Sequence, residues 1–292
     1  MASSIIALEA LIDSGIELKG AIEISGTGDE ESGGLGGVAY LAEKGYFSKD
    51  RVDHVIIPEP LNVDRVCLGH RGVWWAEIET HGRIAHGSMP FLGDCAVRHM
   101  GAVVAKFEDK LYPAMTARYT AMPVVPEGAK QSTLNINSIH GGQAEGNEGL
   151  PAPCVPDSCR MIIDRRFLVE EELEEVKSEV VNILSSLEKS RDGFSFDIRD
   201  MLEVIPSMTD SNSPVVKATV AAIEDVLGIT PELICSPGTY DQKHIDRIGN
   251  LKDCIAYGPG ILELAHQTDE YVVVEDMINS AKVMASSTYK LL

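Results

Sequence analysis

Aromatic side chains make up only 5% of the 292 residues, and the two tryptophans, Trp74 and Trp75, are adjacent. Platforms for stacking bases are therefore scarce, and the core has to be built from Ile, Leu, Val and Ala. Basic residues are also short: 25 Lys and Arg stand against 45 Asp and Glu, a formal charge of −20 at pH 7. A partner of nucleic acid or of an anionic bilayer neutralises phosphates with Lys and Arg, and no basic run is present to do so. No apolar run approaches the roughly 20 residues of a membrane span. The six cysteines (Cys67, Cys95, Cys154, Cys159, Cys235, Cys254) form no CxxC pair and no secretory framework, so they read as reduced thiols. The opening MASSIIALEALIDSG has no basic flank and is interrupted by Glu9 and Asp13, which makes it an amphipathic helix rather than a signal peptide and the protein cytoplasmic.

With 44% hydrophobic and 24% charged residues, the composition is that of a globular protein, and the length suits about two domains of roughly 150 residues. The spacing predicts a first helix, capped by Ser3 or Ser4 and ending near Asp13, with Ile5, Ile6, Leu8, Leu11 and Ile12 on one face. GAIEIS then reads as a strand, residues 34–44 as a helix closed by Gly45, and VDHVIIPEP as a strand apolar enough to be buried on both faces. Such a βαβ unit closes with parallel strands ending at one edge. Between about Gly69 and Val204 the order becomes βαββαβ: VWWAEIETHG, a helix over 94–110, QSTLNINSIHGG, DSCRMIIDRRF, an acidic helix over 170–189, and FSFDIRDM. Residues 111–131 and 141–156 read as loops. Helices over 214–227, 242–248 and 274–292 then alternate with the strands ELICS and DCIAYG. The expected fold class is α/β: a mostly parallel sheet domain (1–68 and 205–292) interrupted by a ferredoxin-like α+β domain (69–204).

Glu30 and Glu31 directly follow the first strand of the βαβ unit, and Glu59 follows the second. Ligands in open α/β sheets bind outside the carboxyl ends of strands, so these carboxylates are delivered where a site is expected. A DEE triplet taken alone is usually a solvated turn; its placement is what points to a site. Neighbouring residues of an extended segment point apart, so one Glu can hold a metal while the other holds a water, the division of labour in metal-assisted hydrolysis. His266 lies in the loop after DCIAYG, where Asp269 and Glu270 could orient its ring. His86 sits in the tight turn GRIAHGSMP of the insert. Both histidines also read as surface residues satisfying local hydrogen bonds. His54, inside an apolar strand, belongs to the core, and the pair His244 and Asp246 falls on a helix with no strand end beside it.

The segments GTGDEESGG, IIPEP, GRIAHGSMP and AYGPGILELAHQTDEYV, in that order around a ferredoxin-like insert, resemble the dinuclear zinc amidohydrolases that include acetylornithine deacetylase, succinyl-diaminopimelate desuccinylase, aminoacylases and glutamate-releasing carboxypeptidases. The resemblance covers essentially the whole chain from residue 3. It implies Glu30 as general base, Glu31 and His266 on one zinc, Glu59 on the other, and His86 as the group that stabilises the oxyanion, reaching across a homodimer formed by the insert. It further implies that Arg166 in DRRF grips the substrate carboxylate, with Arg71 in GHRG a second candidate. The reaction implied is hydrolysis of the amide of an N-acyl amino acid or similar small N-acylated substrate. Cobalt or manganese suits the same ligands as zinc.

Two departures from the family pattern stand out. PAPCVPDSC carries Pro153 near the place of a substrate-binding Asn, and the family's GHxD and GRGxxDMKGG motifs, which supply a zinc-binding His and the bridging Asp, are absent. The chain therefore looks N-terminally shortened, with three of five protein ligands left. The expectation is weak zinc binding, negligible activity of this chain alone, and an unpaired edge on the first domain's sheet. A non-catalytic chain dimerising or regulating through the insert, and a dipeptidase of the same family, are the alternative readings.

Overall fold

The computed structural model describes residues 1–142 and 153–292; ten residues of the expected 141–156 loop lie outside them. In chain order the main elements are α1 (Ala2–Asp13), α2 (Tyr40–Glu43), β1 (Val55–Ile57), β2 (Arg65–His70), β3 (Gly72–His81), α3 (Ala96–Lys106), α4 (Tyr112–Thr116), β4 (Thr133–Gly141), β5 (Ser158–Phe167), α5 (Leu173–Ser190), β6 (Ser195–Val204), β7 (Ser207–Met208), α6 (Pro214–Leu227), β8 (Glu232–Ser236), α7 (Gln242–Arg247), β9 (Cys254–Ala256) and α8 (Val274–Leu291). They fall into two compact units. One comprises Met1–His70, Met122–Val125 and Ser207–Leu292, the other Arg71–Ala121 and Pro126–Pro206.

The second unit follows the alternation in its sequence closely. β3 runs in register with β5 from Gly72 opposite Phe167 to His81 opposite Ser158, and the sheet order is β4-β5-β3-β6, antiparallel throughout. One face buries Trp74, Ile78, Met161 and Ile163 against Met100 and Val103 of α3 and Val176, Val180 and Leu184 of α5. Period-2 strands and period-3.6 helices thus present their apolar sides to one layer, the ferredoxin-like βαββαβ arrangement. Trp74 keeps its ring in that layer while its indole N–H donates to Asp200 Oδ1 at 2.7 Å. Part of the expected 111–131 loop is instead helical: α3 continues through a wider turn at Phe107–Leu111 into α4, where Pro113 is tolerated near the start of the new segment.

In the first unit, β1 pairs with β9 and β2 with β8 in parallel, whereas β2 meets β7 and β9 antiparallel. Several expectations need correction here. GAIEIS forms no strand: among the described residues no neighbouring strand takes up its N–H and C=O groups, and an extended segment without such a neighbour makes no ladder. For the same reason β1, expected to be buried on both faces, is short and half-buried, with β9 as its one partner strand among the described residues. α1 begins at Ala2, with Ser3 inside the helix donating to Met277 O at 3.1 Å rather than capping. Its buried residues are Ser3, Ala7 and Leu11, four apart, so small side chains let α1 approach α8, and Ile5, Ile6 and Ile12 stay exposed. His54 is half-buried rather than in the core, with its Nδ1 at 2.5 Å from Asp253 Oδ2. All six cysteines are free, and four of them are buried. Among the described residues no helix is long and apolar enough to cross a membrane.

Candidate active site

The loop that carries Glu30 and Glu31 is fixed by its own short-range chemistry. Asp29 adopts φ 73°, its carbonyl accepts from Gly34 N–H at 2.7 Å, and its Oδ2 accepts from Gly36 N–H at 2.7 Å. Asp and Asn tolerate that left-handed conformation better than most residues, so the first acid of the DEE triplet closes the turn and the other two occupy a 3₁₀ turn, Glu30–Ser32. Gly37 follows in a wide turn, Leu35–Ala39, where a Cβ would drive into the Gly28 carbonyl; only glycine lets the two stretches of backbone meet. Glu30 is half-buried and Glu31 exposed, so the two carboxylates do part company, though in a helical turn rather than an extended segment.

Glu31 Oε2 and His266 Nε2 lie 3.9 Å apart, both largely exposed. His266 itself adopts φ 61°, and Glu270 accepts from its backbone N–H at 3.1 Å. Glu270 thus fixes the loop, not the imidazole ring as expected. Burial, with Glu30, Asp241 and Glu31 adding their charge, pushes the Glu59 carboxyl up to about 7. Glu30 is raised by burial and then by Asp241, against the opposing pull of Lys243. Asp241 is raised by burial in turn. Glu30, Glu59 and Asp241 all belong to the first unit, and Asp241 raises both glutamates electrostatically.

Asp241 and Lys243 carry no motif that singles them out in the sequence; only the docking of α7 reveals them. Ile245 of α7 packs with Val38, just beyond the Glu30 loop, and Tyr240 packs with Ile57 and Leu61 on either side of Glu59. His244, set aside in the sequence reading, donates from Nε2 to Gly33 O at 2.7 Å, and Asp246 accepts from Ser207 Oγ at 2.6 Å. Both serve the fold.

The second unit carries the other three candidates. His86 Nδ1 accepts from the Ser88 N–H at 3.2 Å and faces Ser88 Oγ at 2.8 Å; a backbone N–H can only donate, so the neutral ring carries its proton on Nε2 and offers an exposed N–H. The turn is anchored by Gly87 N–H on Pro153 O at 2.7 Å, giving Pro153 a role through its carbonyl. Arg166 forms a fork onto Asp164, Nε to Oδ1 at 2.6 Å and Nη2 to Oδ2 at 2.9 Å. Arg71 is buried, and its Nη1 donates to the carbonyls of Ala129 at 3.2 Å and Gln131 at 3.0 Å. Burial lowers its pKa to about 10.

Could the first unit hold metal? Carboxylate and imidazole are suitable donors for a divalent ion, but the Glu31–His266 separation of 3.9 Å exceeds the roughly 3.3 Å between two ligands on one tetrahedral ion, so the two would have to close in to share one. Among the described residues, however, no three His, Cys, Asp or Glu side chains converge on one point. The donor set fits part of a metal centre by chemistry and falls short by count.

The sequence profile of peptidase family M20/M25/M40 matches residues 1–290. Acetylornithine deacetylase of Myxococcus xanthus is 27% identical over 275 residues, covering 92% of this chain and 64% of the relative. Succinyl-diaminopimelate desuccinylase of Hydrogenovibrio crunogenus is 23% identical, covering 94% of this chain and 68% of that protein. The crystal structure of aminopeptidase PepT from Bacillus cereus superposes with a TM-score of 0.74 at 19% identity, covering 99% of this chain and 69% of that one. The chain thus spans about two thirds of the length of the relatives it matches.

Proposed function

The chain belongs to peptidase family M20/M25/M40, and we propose that it carries the larger part of the active site of a metal-dependent deacylase that hydrolyses the amide of N-acyl amino acids or similar small N-acylated substrates. What supports the reading is the Glu31–His266 pair at 3.9 Å, with the Glu30 and Glu59 carboxyls of the same unit raised by burial and by neighbouring carboxylates. Glu31 and His266 would hold one divalent ion and Glu59 contribute to a second; zinc is the family's metal, and cobalt or manganese fits the same donors. Such ions, when bound, activate water and polarise the scissile carbonyl.

The chain's own groups divide the remaining work. Glu30 is half-buried, and burial raises its pKa above the ordinary carboxylate value, which makes it a stronger base suited to accept a proton from the attacking water and return it to the leaving amine. His86 offers its Nε2–H to the developing oxyanion, with Ser88 holding the tautomer. In the family this histidine acts across a homodimer, and the ferredoxin-like unit is the surface proposed to dimerise. Arg166 is the anchor for the substrate carboxylate, kept in plane by Asp164 until substrate arrives. Arg71 ranks behind it, because its guanidinium already serves two main-chain carbonyls.

Since no three donors converge among the described residues, this chain alone should bind zinc weakly and turn over little. The test is release of free amine from acetylated amino acids, succinylated diamino acids and dipeptides with added zinc or cobalt. Any turnover should favour the acylated substrates over the dipeptides and vanish in Glu30→Gln. Ordinary enzymatic rates from the chain alone would refute the ligand count; preference for dipeptides would replace the deacylase by a dipeptidase. The same shortage of ligands beside a complete βαββαβ unit supports one competing reading, a non-catalytic dimerising module. Dimer mass in light scattering with no heat of zinc binding would favour it.

A further inference from the structure

The turn that carries Glu30 and Glu31 is closed on itself but poorly anchored by its own residues. Gly33 N–H donates to Glu30 O at 2.9 Å, and Asp29 holds the N–H groups of Gly34 and Gly36; all of these bonds move with the turn. Its exit is a pair of glycines, Gly33 at φ 107° and Gly34 at φ 73°. With no Cβ to restrict rotation, such a pair swivels unless something outside the loop holds it. The side chains of Glu30 and Glu31 accept no hydrogen bond among the described residues, so where they point follows from the backbone beneath them.

His244 supplies the outside hold. Its Nε2 lies 2.7 Å from Gly33 O, and among the described residues this is the one hydrogen bond that ties residues 29–36 to a distant part of the chain. Burial lowers the pKa of the ring, which is therefore neutral at pH 8. A carbonyl can only accept, so the single ring proton sits on Nε2. The ring reaches the carbonyl because Gly34 has no side chain: a Cβ there would come within 3.2 Å of His244 Cδ2 and Nε2. Behind the ring, α7 is firmly seated. Ile245, 1% exposed, packs with Val38, Leu251 and Cys254, and Gln242 donates to the carbonyls of Leu68 and Cys254.

We propose that His244 is a positioning residue of the candidate site: its Nε2–H, fixed on α7, holds the Gly33 carbonyl and through it the orientation in which the turn presents Glu30 and Glu31 to a divalent ion. The bond thus does more than seat α7, because groups that hold a ligand's backbone or ring in place govern metal affinity without touching the metal. The presentation half rests on the metal-dependent reading; the tether half does not, and the two are measured separately.

The experiment uses the full chain and two substitutions: His244→Leu, which removes the donor, and His244→Gln, whose amide N–H can stand where Nε2–H stood. Hydrogen exchange is read in chelator at pH 8. The Gly33, Gly34 and Gly36 amides should exchange about fivefold faster or more in His244→Leu, while those of Tyr257 and Lys217, elsewhere in the same unit, stay within about twofold of wild type. His244→Gln should bring the three glycine amides back to within about twofold. Titrated with Co²⁺ and followed by its visible absorption, His244→Leu should bind roughly tenfold more weakly than wild type, and His244→Gln should recover most of that loss. Unchanged exchange in the turn, or equal acceleration at all five amides, overturns the proposal, since the imidazole would then be idle or merely structural; so does a loosened turn with wild-type cobalt affinity, or no recovery in His244→Gln. If the turn loosens in His244→Leu and recovers in His244→Gln but even the wild type binds no cobalt, the tether stands and the metal reading of this chain falls. If His244→Leu does not fold, His244→Phe goes through the same two measurements.

Discussion

Arg165 is the neighbour of the proposed substrate anchor Arg166 in DRRF, and it is a severe electrostatic problem for the second unit. Its side chain is 0% exposed, and its charge is met by Glu171 Oε1 at 2.9 Å and, more loosely, by Glu179 Oε2 at 3.7 Å. Glu171 is held in turn by the Leu168 N–H at 2.7 Å, by Arg118 at 2.7 Å and by Ser132 Oγ. Although its burial opposes ionisation, these partners keep the Glu171 carboxyl below the usual range. Substituting Glu171→Ala leaves a buried guanidinium with only the distant carboxylate, which should cost about 3–5 kcal/mol. Both tryptophans lie in this unit, so urea titration followed by their fluorescence reports its unfolding directly. A carboxyl lowered in the folded state stabilises it above the unfolded value of about 4.3, and that stabilisation is lost as the pH falls through the folded value. The gap between wild type and Glu171→Ala should therefore be full at pH 7 and narrow on acidification. Replacing both partners, Arg165→Met with Glu171→Ala, should recover much of the loss, because no buried charge is then stranded. A Glu171→Ala protein within about 0.5 kcal/mol of wild type at pH 7, or a double variant no better than the single one, refutes the claim that Arg165 depends on Glu171.

Two substitutions probe the docking of α7. Gln242 is 1% exposed and donates from Nε2 to Leu68 O at 3.1 Å, Cys254 O at 3.0 Å and Thr209 Oγ1 at 3.0 Å, while Tyr240 donates to its Oε1. Gln242→Leu strands these groups and should cost about 2–4 kcal/mol in chemical denaturation; a loss below about 0.5 kcal/mol would mean that the network closes without the amide. Gly34 has φ 73°, and an added Cβ would run into Asp241 Oδ1, so Gly34→Ala should cost about 1–3 kcal/mol. An unchanged melting curve would show that the loop and α7 are not coupled there.

What the sequence reveals of this fold depends on whether an element is satisfied by its own periodicity. β3 buries every second residue over most of its length, and α5 buries Val176, Val180, Leu184 and Leu187, so a reader of spacing alone finds both. α1 misleads because hydrophobicity is not what it buries: Ala7 and Ser3 face α8, where close approach matters more than apolar area, and the larger Ile5, Ile6 and Ile12 remain outside. GAIEIS misleads in another way. Its composition suits a strand, but a strand is a relation between segments, and no neighbour is found for it among the described residues.

The site divides along the same line. Glu30, Glu31, Glu59 and His266 are legible because each follows a recognisable segment in a loop, and a resemblance of motifs can be carried residue by residue. Asp241 and Lys243 are invisible to that method, since an Asp and a Lys two apart at a helix start are commonplace on a solvated surface. Burial alone changes their meaning. At 6% exposure, with Oδ1 buried and unpartnered, the Asp241 carboxylate cannot be solvated freely, and it lies against Gly34 of a loop some two hundred residues earlier in the chain. Charge balance in a site is a three-dimensional sum, which a count of ligands along the sequence does not give.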